Sequence, residues 1–368
     1  MNKIRLTIYH KTIAPYRIDF FNHLFKEFNT DIWLEYKNLK SQKFNYDTIL
    51  RQLCFTPRYL KAWFKVGDRM VYRGYRKSIK QHQPDIVIVN EFGFATLFVL
   101  LIRLFMRRHF RIVTICDDSH HMVAKGNDFQ KEHRLGRKVF TPLIDEIILP
   151  DKNATEWYRH HYGKGIYFPI IYDDKRMRSM YADILDSNPQ KKKGNIQKTF
   201  LFVGRLVAIK NVGTLIEAFS RLDQDENKLI IVGDGDQRNN LEKQAEGLNV
   251  TFTGRLEGKE LFLQYLMSDV FVLPSRLEPF GAVTNEALIA GCWCIVSENA
   301  GSSSLIKEGQ NGNIFNPDNT DELAALMNAS PNTLLQDNQL RKNGMTECFE
   351  NYFEMLCHHL YKLHENEK

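Results

Sequence analysis

Paired cysteines are what this 368-residue sequence most plainly lacks. Its six cysteines stand at 54, 116, 292, 294, 348 and 357. With no Cys-x-x-Cys spacing there is no zinc motif and no disulfide framework, and a reducing, cytoplasmic setting is expected. Long apolar runs are missing too. The longest, Phe92 to Met106, is interrupted by Arg103 and is too short to cross a bilayer as a helix, which takes about 20 residues. Ile4 to Tyr9 reads as a strand rather than the apolar core of a leader, so no leader is expected. The third glycine of a dinucleotide fingerprint is absent after Val232-Gly233-Asp234-Gly235-Asp236, where Arg238 holds its place. That excludes a nicotinamide reading. Asp234 and Asp236 imitate a metal-binding pair, but at a strand-end glycine they read as turn and capping residues. No metal and no cofactor are expected.

What is present is a soluble, globular composition, 43% hydrophobic and 26% charged. The length exceeds one ordinary core and predicts two domains. The net charge of +6 is unevenly divided: residues 1–168 carry +13 and the remainder −7. The first half is thus suited to an anionic partner, a membrane surface or a phosphorylated acceptor. An unevenly charged, solvated surface is the plainer reading. No nucleic-acid module accompanies the basic half, so nucleic acid is not an expected partner.

Short apolar strands alternate with amphipathic helices along most of the chain, the pattern of parallel sheets covered on both faces. The first half predicts strands at Ile4–His10, Ile32–Tyr36, Pro84–Val89, Phe110–Cys116 and Ile144–Leu149. Its helices are expected near 17–28, 57–81, 92–108 and 153–161. Residues 170–198, with Pro189 and Lys191-Lys192-Lys193-Gly194, read as a linker. Alternation restarts at Thr199–Val203 and runs through Val270–Leu273 to Cys292–Val296. The expected organisation is a domain over 1–169, the linker 170–198, a second domain over 199–333, and a helical segment over 334–368 packing back toward the first domain.

Ligands of such sheets gather beyond the carboxyl ends of the strands. There the second half places Gly204-Arg205 with Lys210, then Gly233 and Gly235, then Gly254-Arg255. Arginine grips phosphate as a fork and lysine as a point charge, although taken alone these cations read as surface charge. The densest stretch is Glu278-Pro279-Phe280-Gly281-Ala282-Val283-Thr284-Asn285-Glu286, a strand–helix joint. Pro279 suits a helix start, and the N–H groups of Phe280, Gly281 and Ala282 would then face an anion. The two carboxylates, Glu278 and Glu286, suit hydroxyls. Anion and polyol together point to a nucleotide sugar.

In order and spacing, Phe202-Val203-Gly204-Arg205-Leu206 with Lys210, Val232-Gly233-Asp234-Gly235, Phe252-Thr253-Gly254-Arg255 and Glu278-Pro279-Phe280-Gly281 with Glu286 resemble the retaining glycosyltransferases of family 4. The likeness is clear over 199–317 and faint over the first 170 residues. It implies the α/β GT-B fold, two doubly wound Rossmann-like domains facing a central cleft. It also implies metal-independent transfer from a UDP- or GDP-sugar to a saccharide or lipid-linked acceptor in cell-surface polysaccharide synthesis. Arg205 and Lys210 would neutralise the leaving diphosphate. Glu278, with the backbone from Phe280 through Ala282 to Val283, would hold sugar hydroxyls and the distal phosphate. Glu286 would take the ribose hydroxyls, and Gly204, Gly233, Gly235 and Arg255 would line the nucleotide. A nucleotide-sugar epimerase or hydrolase, or a non-catalytic nucleotide-sugar binder, are the alternative readings.

The first half departs from the family pattern. Pro15-Tyr16-Arg17 stands where many members have a glycine-rich turn, and would line the acceptor side. Thr114-Ile115-Cys116-Asp117-Asp118-Ser119-His120-His121 puts Cys116 where many members have a histidine. Asp117 keeps the next position as a catalytic candidate, leaving His120 or His121, or neither, to fill the role. Ala300-Gly301-Ser302-Ser303-Ser304 lacks a glutamate common in that loop. Lys61, Lys65, Arg69, Arg73 and Lys77 recur every four residues on the predicted helix 57–81, interleaved with aromatics. Such a stripe could lie on anionic lipid, at about 1 kcal/mol per cation, and would place the protein on the inner face of the plasma membrane. A solvated helix face is the alternative.

Overall fold

The computed structural model describes residues 3–37, 44–106, 109–126, 131–188, 197–332 and 340–365. It divides into two compact units. One comprises Met1–Pro169 with Glu350–Lys368, the other Ile170–Phe349.

The first unit is built on a seven-stranded parallel sheet. Its strands are β1 (Arg5–His10), β2 (Asn29–Leu34), β3 (Arg58–Tyr59), β6 (Ile86–Asn90), β7 (Arg111–Ile115), β8 (Glu146–Leu149) and β9 (Ile166–Tyr167), with β4 (Lys61–Val66) and β5 (Arg69–Arg73) forming a separate hairpin. The order β3-β2-β1-β6-β7-β8-β9 reverses direction beside β1. All five residues of β6 are buried, as a strand covered on both faces requires. Val87, Val89, Ile112 and Ile147 pack with Tyr75, Ile79 and Val99 from helices Tyr75–His82 and Phe94–Phe105. The helix Phe349–Glu365 closes this unit from the far end of the sequence. Tyr361 donates to Glu27 at 2.7 Å, and the rings of Phe353 and Tyr352 meet His23 and Tyr167.

The second unit repeats the plan with six parallel strands, β10 (Lys198–Val203), β11 (Asn227–Val232), β12 (Val250–Gly254), β13 (Val270–Leu273), β14 (Trp293–Ser297) and β15 (Gly312–Phe315). Their order, β12-β11-β10-β13-β14-β15, is the Rossmann order with its switch point between β10 and β13. Phe200, Phe202, Leu229, Ile231, Val270 and Val272 form the core with Leu215, Ile216 and Phe219 of helix Val212–Phe219.

Two expectations fail. The residues read as a helix over 57–81 form the hairpin β4–β5 and only then a helix, Tyr75–His82. Gly67, at φ 58°, turns the chain at Gly67–Asp68. Trp63, Phe64, Val66, Val71 and Tyr72 are aromatic or β-branched and favour extended backbone. Lys61 and Arg73 are therefore cross-strand partners rather than helix neighbours, and Lys77 lies on the following helix. Nor is 170–198 simply a linker. Asp173 caps a helix over Asp174–Asp186, accepting from the Arg176 N–H, and Met177, Tyr181, Ile184 and Leu185 are buried. The lysine run from Lys191 and Pro189 lie outside the described residues, as do Arg107 and Arg108 of the expected helix 92–108 and residues 334–339 of the expected C-terminal helical segment.

Candidate donor and acceptor sites

Three loops meet at the carboxyl ends of β10, β11 and β13. The loop after β10 is zipped to the loop after β11. The Gly204 N–H donates to Val232 O, Leu206 N–H to Asp234 O, and Gln237 N–H to Leu206 O, at 2.9 to 3.0 Å. A Cβ on Gly233 would lie 1.8 Å from Gly204 O, and one on Gly235 would lie 2.3 Å from Leu206 O. Backbone-to-backbone approach therefore demands both glycines, whatever else they line. The loop after β13 joins on the other side, its Arg276 N–H donating to Ile209 O at 3.0 Å.

Lys210 and Glu278 meet at this switch point as a direct ion pair, 16% and 13% exposed. Glu278 is held by its own backbone: its N–H donates to Asn299 O at 3.3 Å, and its carbonyl accepts from the Gly301 N–H at 3.1 Å. Arg205 is exposed beside this pair in sequence. Arg255, just past Gly254 (φ 75°) at the end of β12, is paired with Glu257.

The helix after β13 begins at Ala282, not at Pro279. Gly281 caps it in the left-handed region (φ 91°, ψ 65°), and no side chain caps it. A Cβ on Gly281 would meet Leu273 at 2.8 Å and Glu278 at 3.1 Å. The start moves because Pro279 and Phe280 are engaged with the loop after β14, where the Ser302 N–H donates to Phe280 O at 2.8 Å. Ala282 and Val283 supply the helix's first N–H groups, which have no carbonyl within the helix to bond. Their partial positive charge lies at the loop that carries Glu278.

Glu286, expected at the ribose, is 7% exposed. Tyr172 OH donates to Oε1 at 2.9 Å and Tyr265 OH to Oε2 at 2.7 Å, while Tyr181 OH donates to the Glu286 carbonyl at 3.1 Å. Burial pushes the carboxyl up from its ordinary value, and the two phenol bonds only partly oppose this. Burial and this carboxylate push all three phenols well up. The structure thus gives Glu286 partners other than those expected: it ties the helix Ala282–Ala290 to residues 172–181 and to helix Gly258–Met267.

The acceptor-side candidates sit in the first unit. Pro15-Tyr16-Arg17 forms one 3-10 turn after β1. Arg17, 4% exposed, reaches Asp117 Oδ1 at 2.7 Å and lies over the Phe20 ring. The loops after β1 and β7 are thereby joined, and Asp117 is ion-paired. His10, beneath them, is driven down to about 4, first by burial and then by the Arg17 charge. His120 starts a short helix, with its N–H on Asp151 Oδ2 at 2.8 Å and its side chain exposed. Cys116 is fully buried.

Sequence reasoning missed the network around Asp118. This fully buried carboxylate takes His133 Nε2 at 2.7 Å, Arg137 Nε at 2.8 Å and Tyr158 OH at 2.6 Å. Burial opposes its charge, but the His133 bond and the Arg137 charge prevail and hold it below the usual range. Only the doubled Asp117-Asp118 at a strand end hinted at it.

Two doubly wound parallel sheets of this order are those of the GT-B fold. The solved structure of Anabaena Alr3699/HepE in complex with UDP superposes with a TM-score of 0.71, covering 98% of this chain and all of that one at 17% identity. Residues 184–345 match the family model described as Glycosyl transferases group 1. Among curated relatives, the uncharacterized glycosyltransferase MJ1607 of Methanocaldococcus jannaschii is 40% identical over 133 residues, 35% of this chain and 34% of the relative. Alpha-monoglucosyldiacylglycerol synthase of Streptococcus pneumoniae is 25% identical over 269 residues, 67% of this chain and 60% of the relative. The chain spans less than two thirds of either relative.

Proposed function

We propose that this chain is a retaining glycosyltransferase that moves a sugar from a UDP- or GDP-sugar to a saccharide or lipid-linked acceptor in cell-surface polysaccharide synthesis. The observation that carries this reading is the Lys210–Glu278 ion pair at the switch point, close in sequence to the helix start at Ala282, which no side chain caps. Breaking the bond to the sugar leaves negative charge on the diphosphate as the anomeric carbon becomes cationic. Preorganised cations and N–H dipoles stabilise that charge without reorganising. Lys210, Arg205 and the N–H groups of Ala282 and Val283 supply them, so the diphosphate needs no Mg²⁺ or Mn²⁺. Glu278, whose lysine turns to phosphate, is left to accept from sugar hydroxyls. No protein nucleophile is required if the acceptor attacks from the face the diphosphate leaves. Asp117, steadied by Arg17, belongs to the acceptor side with Pro15, Tyr16 and His120. The UDP bound in the Anabaena structure favours uracil as the base.

Membrane docking moves with the corrected fold. Among the described residues no helix is long and apolar enough to cross a membrane. The first unit nevertheless exposes Leu97, Leu101, Leu104 and Phe105 along helix Phe94–Phe105, the last two at 76% and 84%. It also exposes Trp63, Phe64 and Val66 on β4, between Lys61, Lys65 and Arg69. Apolar side chains flanked by cations suit the inner face of an anionic plasma membrane. The streptococcal relative, by name a glycolipid synthase, supports a lipid-linked acceptor.

The deciding experiment incubates the purified chain with a panel of nucleotide sugars and follows thermal stabilisation, about 2.7 kcal/mol at a hundredfold excess over Kd. The best donor is then assayed with polyprenyl- and diacylglycerol-linked acceptors, without added Mg²⁺ or Mn²⁺, and the product anomer is read by NMR. Lys210→Met and Glu278→Gln should each lose transfer and stay folded. Full transfer in both, or free sugar as the sole product, would overturn the reading.

A further inference from the structure

The first unit gathers three metal-ligating side chains from three elements, apart from every residue given a role above. Glu91 follows β6, Cys116 follows β7, and His133 lies on the helix Lys131–Phe140. One ligand-type atom from each lies within 4.8 Å of the other two. Cys116 Sγ is 3.5 Å from Glu91 Oε2, which is 3.6 Å from His133 Nδ1. Tetrahedral zinc, with bonds of about 2.0 to 2.3 Å, sets neighbouring donor atoms roughly 3.5 Å apart.

We propose that Glu91, Cys116 and His133 bind one zinc ion through carboxylate oxygen, thiolate sulfur and imidazole Nδ1, with the fourth position open.

The surroundings supply what such a site needs. Asp118 Oδ1 takes His133 Nε2 at 2.7 Å, and its other oxygen is fixed by Arg137 and Tyr158. A buried carboxylate on one imidazole nitrogen orients the ring and makes the other nitrogen the better ligand. The ring is also held from the side by Phe92, centroid to centroid at 5.5 Å. Gly136, one turn on, packs so closely that a Cβ there would lie 2.9 Å from Phe92 Cβ. Glu91 is one of three non-glycine residues with positive φ among the described residues, at 62°. That conformation is fixed by its N–H on Ile115 O at 2.8 Å and by Thr96 and Thr114 hydroxyls on its carbonyl.

Binding replaces the Cys116 thiol proton, and any proton on His133 Nδ1 or Glu91, with zinc; the protons pass to water. A thiolate with an imidazole selects zinc over Mg²⁺ or Mn²⁺, which prefer all-oxygen sites. The ion therefore does not substitute for the cations proposed at the diphosphate, and the inference does not rest on the glycosyltransferase reading.

The test uses the metal-free full chain titrated with Co²⁺, whose thiolate complexes show a near-ultraviolet charge-transfer band. One cobalt per chain with that band is expected, displaced by Zn²⁺. The band should vanish in Cys116→Ser, persist in Cys54→Ser, and require at least tenfold more metal in His133→Gln and in Asp118→Asn. Zn²⁺ should also raise the wild-type melting temperature, a reading that needs no variant to fold. Absence of a stoichiometric band in the wild type, a band that survives in folded Cys116→Ser, or an unmoved wild-type melting temperature would each overturn the proposal.

Discussion

Replacing Glu286 separates a brace from a ligand. Glu286→Leu leaves the buried hydroxyls of Tyr172 and Tyr265 without their acceptors. A buried donor left unpaired costs about 1 to 3 kcal/mol, so the pair costs roughly 2 to 6 kcal/mol. At about 2 to 4 °C per kcal/mol for a domain of this size, the melting transition of the second unit should fall by roughly 5 to 20 °C. Glu286→Gln should cost about 1 kcal/mol or less, because an amide oxygen accepts from one phenol and the amide N–H₂ donates to the other. The pH dependence has a definite sign. Burial raises the Glu286 pKa in the folded chain, so the native state keeps its proton to higher pH than the unfolded state. The stability from that difference is full below the ordinary carboxylate range and is lost as pH rises through the raised value. Glutamine does not titrate, so any deficit of Glu286→Gln should narrow as pH rises from the ordinary carboxylate range through the raised value. Calorimetry across that range, with Tyr265→Phe beside it, is the assay. A leucine variant as stable as the wild type, or a glutamine deficit that widens with pH, would refute the reasoning. So would a glutamine variant that weakens nucleotide-sugar binding while Tyr265→Phe and stability leave it untouched, which would return Glu286 to the ribose.

Gly233→Ala forces a methyl to 1.8 Å from the Gly204 carbonyl, and should cost about 3 kcal/mol or more in denaturant unfolding; a loss under 1 kcal/mol would mean the two loops separate easily. Arg17→Met removes the partner of an Asp117 side chain that is 42% exposed, so solvent limits the stability cost to about 1 kcal/mol, while transfer should fall tenfold or more; full activity would detach the pair from the acceptor side. Leu104→Glu with Phe105→Glu should leave the melting temperature unchanged and lower binding to anionic vesicles at least tenfold, and unaltered co-sedimentation would remove the helix from the membrane contact.

How far the sequence could be read depends on how local the cause was. Val270–Leu273 was legible to the residue because a short apolar run bounded by Asp269 and Pro274 sufficed. The ion pair of Lys210 and Glu278 was half legible: each stood at a strand end, but a contact across 68 residues is set by the order of β10 and β13. Glu286 was half legible, because spacing reports which residue stands on the helix and not that Tyr172, in a stretch read as linker, reaches it. The basic residues from Lys61 to Lys77 misled. A four-residue repeat fits a helix, yet it also fits one face of a strand, and Gly67 decided between them. His133 had no local signal, since its meaning comes from Asp118 and Cys116 on another element.

The helix Phe349–Glu365 carries a consequence for synthesis. Its Tyr361, Phe353 and Tyr352 complete a unit whose other residues all precede Ile170. On the ribosome, the half that begins first must therefore wait for the whole of the second before its last layer arrives. Meanwhile the second unit, continuous from Ile170 to Phe349, can close as soon as it emerges. Until then the surface around His23, Glu27 and Phe28 is uncovered. A chain stopped after Phe349 would carry an intact second half and an unfinished first one.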